Sequence, residues 1–368
     1  MAYNEEKIVS ALKAFECGEI VVVTDDNDRE NEGDLTVAAV HCTEEKMAFI
    51  LRHTTGIVCT PMPKKEAQRF HLDPMVRDNN SAHGTQFTVT VDFKHGITTG
   101  ISAHDRTLAV CNLANSSASA DDFVRPGHIF PLIAHEGGVL LRSGHTEAAV
   151  DLCKLAGLPP VGVIGELVND DGSVKHGDQI TKFAQEHRLH IITVADLIAY
   201  RQRKEILIKS VGEIAIETPV GSAIVQSYQL PWEAVQHIAV IFGDICDGED
   251  IPVCLHRENI LNDVFGQFPD ITAIMQRMIE KEERGVFVYL RAASVNVQSA
   301  TGIQGIIREG SEKHAQAIER EEEWRKIGLG SQILKYLGIG SVIIYASKEH
   351  RYAGLEGFGI RISRTEIF

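Results

Sequence analysis

The stretch Glu19-Ile-Val-Val-Val-Thr-Asp-Asp-Asn-Asp-Arg-Glu-Asn-Glu-Gly-Asp34 joins a run of apolar, β-branched residues directly to a run of carboxylates. The apolar part is typical of a strand that is buried on both faces. Before it, Ile8, Leu12 and Phe15 recur at the spacing of an amphipathic helix. From here to about residue 200 helical and strand patterns alternate, which predicts an α/β fold.

The carboxylates follow the end of the predicted strand, where α/β folds place their functional sites. Crowded carboxylates repel one another unless a cation joins them, and oxygen ligands suit Mg²⁺ or Mn²⁺. A solvated acidic turn is the alternative interpretation, because Asn31 and Gly33 also favour a turn. The charged residues of this segment are Asp25, Asp26, Asp28, Arg29, Glu30, Glu32 and Asp34.

A second candidate segment, Asp122–Leu132, holds His128 behind a Pro-Gly turn and between two prolines. The prolines stiffen the chain, and a histidine on a rigid loop can carry protons near neutral pH. A histidine that is simply satisfied in the core or at the surface is the alternative interpretation.

In the third segment a strand-like run, Val139–Leu141, is predicted to enter a turn of small residues that is followed by a helix. The helix start offers free N–H groups and a positive dipole end to a phosphate, and His145 in the same turn could reach a metal. The alternative is an ordinary strand-to-helix turn capped by Thr146. The groups that could hold a phosphate are Arg142, Ser143, Gly144 and Thr146.

Length and charge restrict the partners. The 368 residues are enough for two or three domains at ~150 residues each. The 36 basic and 51 acidic residues give a net charge of −15. Such an anionic surface repels nucleic acid and anionic membranes, so neither is an expected partner.

The seven cysteines are odd in number, and no two have C-x-x-C spacing. We therefore expect free thiols in a reducing compartment and no sulfur-rich zinc site. No stretch approaches the ~20 consecutive apolar residues of a membrane span, and the first residues lack the pattern of a signal peptide. The sequence predicts a cytoplasmic protein.

The three segments together predict a divalent-metal enzyme that acts on a small phosphorylated polyol or keto-sugar. At these residues the sequence resembles 3,4-dihydroxy-2-butanone 4-phosphate synthase, an enzyme of riboflavin biosynthesis, over about residues 5–200. The resemblance is carried by Asp28–Asp34, Arg52-His53 with Gly56–Cys59, Thr99–Ala103, Arg125–Pro131, Gly144–Ala148 and Gly165–Gly172.

The resemblance implies conversion of D-ribulose 5-phosphate to 3,4-dihydroxy-2-butanone 4-phosphate and formate, with a divalent ion that stabilises enediolate-like charge. It implies that Glu30 and His145 bind Mg²⁺ (or Mn²⁺) and that His128 and Glu166 are required for catalysis. It also implies a mixed sheet covered by helices on both sides, and a homodimer with the active site near its interface. The substrate-binding residues that it implies are Arg29, Asp34, Arg142, Ser143, Gly144, Thr146 and Glu166, with Asp25, Glu32 and Cys59 lining the site.

Residues from about 206 onward are similar to GTP cyclohydrolase II. That family holds a catalytic zinc with three cysteines spaced C-x10-C-x-C, but Asn259, Asp270 and Thr272 stand at the aligned positions. None is a thiolate, so we expect no zinc and no cyclohydrolase activity. The similar segments are Val253–Glu258, Asp263–Phe265, Arg284–Arg291, Gly328–Leu334 and Leu355–Gly359, and Arg325 is the match to the family's catalytic arginine.

The polar, basic segment that begins at Tyr200 marks the predicted domain boundary. We expect the synthase domain at residues 1–205 and a cyclohydrolase-like α/β domain without zinc cysteines at residues 206–368. Two alternatives stay open. The chain could be bifunctional and also have GTP cyclohydrolase II activity, or its second domain could sense a sugar phosphate or nucleotide without catalysis.

Overall fold

The computed structural model describes residues 5–25, 30–81, 84–232, 234–259, 263–264, 271–291, 328–346, 355 and 358–367. The chain divides into two compact units, residues 1–201 and 202–368. Within the described residues, no helix is long and apolar enough to cross a membrane.

The first unit is a mixed sheet of seven described strands in the order β4-β5-β3-β6-β2-β1-β7. Strand β1 pairs antiparallel with β2 and parallel with β7. In chain order the elements are α1 (Glu5–Glu16), β1 (Val21–Thr24), β2 (Gly33–Ala38), α2 (Glu44–His53), β3 (Cys59–Pro63), α3 (Lys64–Arg69), β4 (Val91–Phe93), α4 (Ala103–Leu113), β5 (Phe123–Ala134), α5 (His145–Leu155), β6 (Gly162–Glu166), α6 (Asp178–Glu186), β7 (His190–Thr193) and α7 (Val194–Lys204).

Helices cover both faces of this sheet, because successive side chains of a strand point in opposite directions. Val22 packs in one apolar cluster with Met47 of α2. Its neighbour Val23 packs in another cluster with Phe15 of α1 and Leu152 of α5. The predicted α/β architecture, a mixed sheet between two helical layers, is confirmed.

One predicted element is wrong. The strand-like run Val139–Leu141 is instead a turn of 3₁₀ helix over Gly138–Leu140. Gly138 has a φ of 62°, and the backbone N–H of Val139 donates to the buried carboxylate of Asp151 at 2.8 Å. The carboxylate of Asp151, which belongs to α5, therefore stabilises a turn in an apolar run whose local pattern favours a strand.

The second unit is also a mixed sheet of seven described strands, in the order β14-β13-β11-β12-β10-β9-β8. Helices pack on both faces of this sheet. Met278 of the helix Ile271–Ile279 packs with Phe287, and Leu334 of the helix at residues 328–336 packs with Val286, which points to the opposite face of the same strand. The elements are β8 (Lys209–Thr218), β9 (Gly221–Gln229), β10 (Gln236–Phe242), β11 (Ile251–Arg257), α8 (Ile271–Ile279), β12 (Gly285–Leu290), α9 (328–336), β13 (Ser341–Ala346) and β14 (Arg361–Ile367).

Candidate active site

Asp25 directly follows β1 and is buried. Its carboxylate accepts the backbone N–H groups of Glu30 at 3.0 Å and Glu32 at 2.9 Å. Its own N–H donates to the carbonyl oxygen of Glu32. These bonds hold Asp25 against Glu30 and Glu32, the described residues on the far side of the acidic loop. Arg29, predicted to bind substrate, lies outside the described residues.

His145 opens α5 and is buried beside this loop. Its Nδ1 lies 4.0 Å from a carboxylate oxygen of Glu30. Its Nε2 is also buried and has no hydrogen-bond partner among the described residues. One candidate ligand atom from each of Asp25, Glu30 and His145 lies within 4.8 Å of the other two. Two carboxylates and an imidazole that lie this close together fit a divalent cation.

Two more carboxyl groups reach the cluster through the sheet. The register of β2 and β6 pairs Asp34 with Glu166. Burial, and then a hydrogen bond to Glu166, raise the pKa of Glu32 to about 9. Burial raises the pKa of Asp34 to about 6, although the charge of His145 opposes this rise. Glu32 therefore holds a proton near neutral pH, which reduces the repulsion among these carboxyl groups.

Cys59 begins β3 beside this cluster. Burial, and then the charges of Asp34 and Glu166, raise the pKa of its thiol to about 12. The thiol is therefore neutral at physiological pH, and the thiolate is the nucleophilic form of cysteine. This favours the predicted role of Cys59 as a lining group rather than a nucleophile.

The predicted phosphate-binding turn lies directly before α5. Gly144, rather than Thr146, is the N-cap residue, and no side chain caps the helix. Arg142 donates through Nη1 to a carboxylate oxygen of Glu147 at 2.6 Å, and through Nη2 to the hydroxyl of Thr85 at 3.0 Å. The guanidinium is therefore held against the uncapped helix start, where N–H groups and the dipole favour an anion.

Glu147 was not identified from the sequence. It is fully buried, and its second carboxylate oxygen accepts the backbone N–H of His135 at 3.1 Å. An acidic residue in the first turn of a helix is usually a partner of the helix dipole. That local signal locates Glu147 but does not show that it holds Arg142.

His128 lies where β5 leaves its regular pairing with β4, because Val91 pairs with Ile129 but Asp92 pairs with Val124. Its Nδ1 is 2.7 Å from one carboxylate oxygen of Asp92, and its backbone N–H donates to the other at 2.8 Å. Sequence reasoning missed Asp92, which lies 36 residues before His128. The sheet, not the local sequence, joins the two residues.

His128 and Glu166 lie at the same end of the sheet. Cys59 of β3 pairs with Phe130 of β5 and with Ile164 of β6. Because β5 is parallel to β3 and β6 is antiparallel to it, the chain before Phe130 and the chain after Ile164 run toward the same end. The two residues predicted to move protons therefore flank strand β3.

At Asn259, the first of the positions aligned with the zinc cysteines of the family, the second unit has a hydrogen-bonded polar group. The carboxylate of Asp263 accepts the backbone N–H of Asn259 at 2.9 Å and the hydroxyl of Tyr289 at 2.7 Å, and lies 3.0 Å from Nε2 of His256. Thr272 lies in α8. The positions Asp270 and Arg325 lie outside the described residues.

Comparison with known proteins agrees with this geometry. Residues 9–200 match the family model of 3,4-dihydroxy-2-butanone 4-phosphate synthase, and residues 209–366 match that of GTP cyclohydrolase II. The chain is 42% identical to the bifunctional riboflavin biosynthesis protein RIBA 1, chloroplastic, of Arabidopsis thaliana, over 96% of the chain and 67% of that protein. It is also 42% identical to the monofunctional RIBA 2, chloroplastic, of the same plant, over 97% of the chain and 75% of that protein.

Two solved structures are similar. RibBX from A. baumannii, a two-domain 3,4-dihydroxy-2-butanone 4-phosphate synthase, has a TM-score of 0.77 at 30% identity and covers 98% of this chain and 99% of its own. A 3,4-dihydroxy-2-butanone 4-phosphate synthase in complex with two magnesium ions has a TM-score of 0.52 at 45% identity, over 54% of this chain and 97% of its own.

The fold, the site and these matches define an enzyme of riboflavin biosynthesis. Within that class the chain belongs to the 3,4-dihydroxy-2-butanone 4-phosphate synthase family, with a GTP cyclohydrolase II domain fused to the synthase domain. The predicted family is confirmed.

Gly144→Ala should displace the guanidinium of Arg142, because the new Cβ would lie 2.6 Å from its Nη1. We expect kcat/KM for formate release from ribulose 5-phosphate to fall about tenfold or more, which corresponds to ~1.4 kcal/mol of lost binding. Gly212→Ala is the matched control, because its Cβ would meet only the hydroxyl of Ser227 at 3.6 Å. Equal kinetics in both variants would contradict a tightly packed turn.

Proposed function

We propose that residues 1–205 form the synthase domain and convert D-ribulose 5-phosphate to 3,4-dihydroxy-2-butanone 4-phosphate and formate. Family membership supports the reaction. The observation that carries the assignment of the site is the convergence of Asp25, Glu30 and His145, since one candidate ligand atom of each lies within 4.8 Å of the other two. The acidic loop and a helix 120 positions away in the chain supply one cation site between them, which a solvated acidic turn does not explain.

Mg²⁺ is the cation that we assign to this group, with Mn²⁺ as an alternative, since a similar synthase was solved with two magnesium ions. Glu30 and His145 would hold it, and Asp25 joins them as a third candidate ligand. When bound, the ion supplies Lewis-acid stabilisation of negative charge on the sugar oxygens. Burial raises the pKa of Asp34 because its ionised form is poorly solvated. A nearby cation would stabilise the ionised carboxylate and lower this pKa again.

The phosphate end of the substrate would lie at the start of α5. Arg142 is oriented there by Glu147 and Thr85, and the helix start is not capped by a side chain. Ser143, Gly144 and Thr146 belong to the same turn and helix start, and Arg29 remains a prediction.

The reaction requires protons to be removed and returned at several carbons, so groups of different proton affinity are needed. Glu166 is hydrogen-bonded to Glu32, and burial together with this bond raises the pKa of Glu32. His128 lies at the same end of the sheet with its ring partly exposed. We infer that the two act at opposite ends of the substrate, Glu166 beside the cation site and His128 across β3.

Glu30→Gln and His145→Asn should each abolish tight divalent-cation binding, since each removes one of three candidate ligands. We expect weaker Mn²⁺ binding by electron paramagnetic resonance and a loss of formate release of about 100-fold or more. In the wild type a chelator should stop formate release and added Mg²⁺ should restore it.

Glu136→Gln is the control for charge, because Glu136 is an exposed acidic residue outside this group. It should bind Mn²⁺ and release formate like the wild type. Wild-type Mn²⁺ affinity in His145→Asn would show that the cation site is misplaced.

We further propose that residues 206–368 do not hydrolyse GTP. A zinc site needs several soft or borderline ligands, and the aligned residues are an amide, a carboxylate and a hydroxyl. The carboxylate of Asp263 is engaged by the backbone of Asn259 and by Tyr289. One plant relative is named as monofunctional, and the similar two-domain structure is named as a synthase alone. Both names agree with a two-domain chain that has one activity. The alternative is the bifunctional enzyme, which the relative RIBA 1 favours.

The purified full-length chain should contain no stoichiometric zinc and should not release formate from GTP, because it lacks the three thiolates that hold the family's zinc. The measurements are inductively coupled plasma mass spectrometry and a coupled formate assay with GTP as the substrate. Release from ribulose 5-phosphate in the same preparation is the internal control. One tightly held zinc per chain with GTP turnover would establish the bifunctional alternative.

We propose a homodimer that forms through the surface beside His128. Ile57 and Ile101 are 51% and 56% exposed. Arg106 joins their loops by donating to the carbonyl oxygens of Gly56 and Ile101. Two large apolar side chains held close together beside a polar site are typical of an interface that a partner covers.

Sedimentation equilibrium should give twice the mass of the chain. Ile57→Lys with Ile101→Lys should shift the protein toward monomer, because two buried charges would oppose association. Val76→Lys is the control at an apolar residue that is 54% exposed. A wild-type monomer that is fully active would contradict the dimer.

A further inference from the structure

The carboxylate of Asp92 contacts His128 through both of its oxygens. One oxygen lies 2.7 Å from Nδ1 of the ring, and the other accepts the backbone N–H of the same residue at 2.8 Å. The side chain of Asp92 is 6% exposed and that of His128 is 37% exposed. A buried acceptor thus holds one nitrogen of a ring whose other side faces solvent.

The loop that carries the Thr99–Ala103 motif closes over this pair. Gly100 leaves no room for a side chain, since a Cβ there would lie 2.1 Å from Asp92 Oδ2 and 2.6 Å from His128 Nδ1. Asp105 fixes the loop by accepting the backbone N–H groups of Thr98 at 3.0 Å and Gly100 at 2.9 Å. The backbone of Gly100 is therefore packed directly against the bond between Asp92 and His128.

The bulge of β5 is equally restrained on its other side. The backbone N–H of Gly127 donates to the hydroxyl of Thr90 at 3.0 Å. A Cβ on Gly127 would lie 2.1 Å from the backbone of Val91. The backbone that presents His128 is therefore packed directly on the strand that carries Asp92.

Three charged groups lie in or beside this pair. Asp92 lies on β4, and Asp105 and Arg106 lie at the start of α4. Asp105 is occupied by its loop, with two backbone bonds and a further bond from the hydroxyl of Thr98. Arg106 feels the charge of Asp92 but donates to the carbonyl oxygens of Gly56 and Ile101. Asp92 is thus the carboxylate that is aimed at the ring.

We propose that Asp92 is the positioning residue of His128: it keeps the proton of the neutral ring on Nδ1, so that Nε2 is the atom offered to the substrate. The inference rests on the proposed catalytic role of His128. An ionised carboxylate only accepts, so Nδ1 must be the donor in this bond. The partner of one ring nitrogen determines which tautomer is present and orients the ring.

Asp92→Asn tests this at nearly constant volume. The two donors of His128 bind different oxygens of Asp92. In asparagine one of these oxygens is replaced by an NH₂ donor, so either the backbone N–H or the ring Nδ1–H of His128 loses its acceptor. We expect kcat for formate release to fall about 100-fold or more, with KM changed less than about threefold. The control is Asp122→Asn, which alters the exposed pair of Asp122 with His95, 3.0 Å apart, and should leave both constants unchanged.

Nitrogen-15 nuclear magnetic resonance of the full-length, histidine-labelled protein gives a readout that does not depend on turnover. His128→Gln assigns the signal of His128 by its disappearance. In the wild type the signal should be that of the Nδ1–H tautomer, and in Asp92→Asn it should move toward a mixture or the Nε2–H tautomer. An Nε2–H tautomer in the wild type, or wild-type kcat in Asp92→Asn, would overturn the proposal.

The same set of variants separates the two claims. If His128→Gln keeps the wild-type kcat, the catalytic role of His128 fails, and the role of Asp92 fails with it. If His128→Gln is inactive but Asp92→Asn is fully active, only the positioning role is overturned. If Asp92→Asn does not fold, as judged by circular dichroism, the wild-type tautomer alone decides the question.

Discussion

The first unit depends on one constraint. Several carboxyl groups must lie close together without their charge repulsion destabilising the fold. Backbone N–H groups of Glu30 and Glu32 stabilise the charge of Asp25. Glu32 holds a proton beside Glu166. His145 of α5 brings its Nδ1 to 4.0 Å from a carboxylate oxygen of Glu30. The first two features reduce repulsion within the cluster, and the imidazole completes a group of ligand atoms that suits a divalent cation.

Buried carboxylates also orient the groups around that position. Glu147 holds Arg142 in front of α5, and Asp92 holds His128 at the end of β5. In both cases the acid is buried and the group that it holds is more exposed. Because these supporting residues already hold their partners in place, little reorganisation is needed when the substrate reacts.

The described part of the second unit is held together by apolar packing. Its sheet packs an apolar layer on each face, with Met278 on one side and Leu334 on the other. Around Asp263 the polar groups of Asn259, Tyr289 and His256 form hydrogen bonds. The two plant relatives align over nearly the whole chain. One is named as bifunctional and the other as monofunctional.

The sequence by itself determined the α/β class and the buried strand before the acidic loop, which follow from β-branched runs and helix periods. The phosphate-binding turn of our proposal follows from a short motif before a helix, whereas the choice of Glu30 and His145 for the cation follows from the resemblance to the family. Only the tertiary structure showed that Val139–Leu141 is not a strand, that Asp25 joins Glu30 and His145, and that Asp92 and Glu147 hold His128 and Arg142. The reason is that register and packing decide which distant carboxylate meets a given side chain, and no local pattern encodes that pairing.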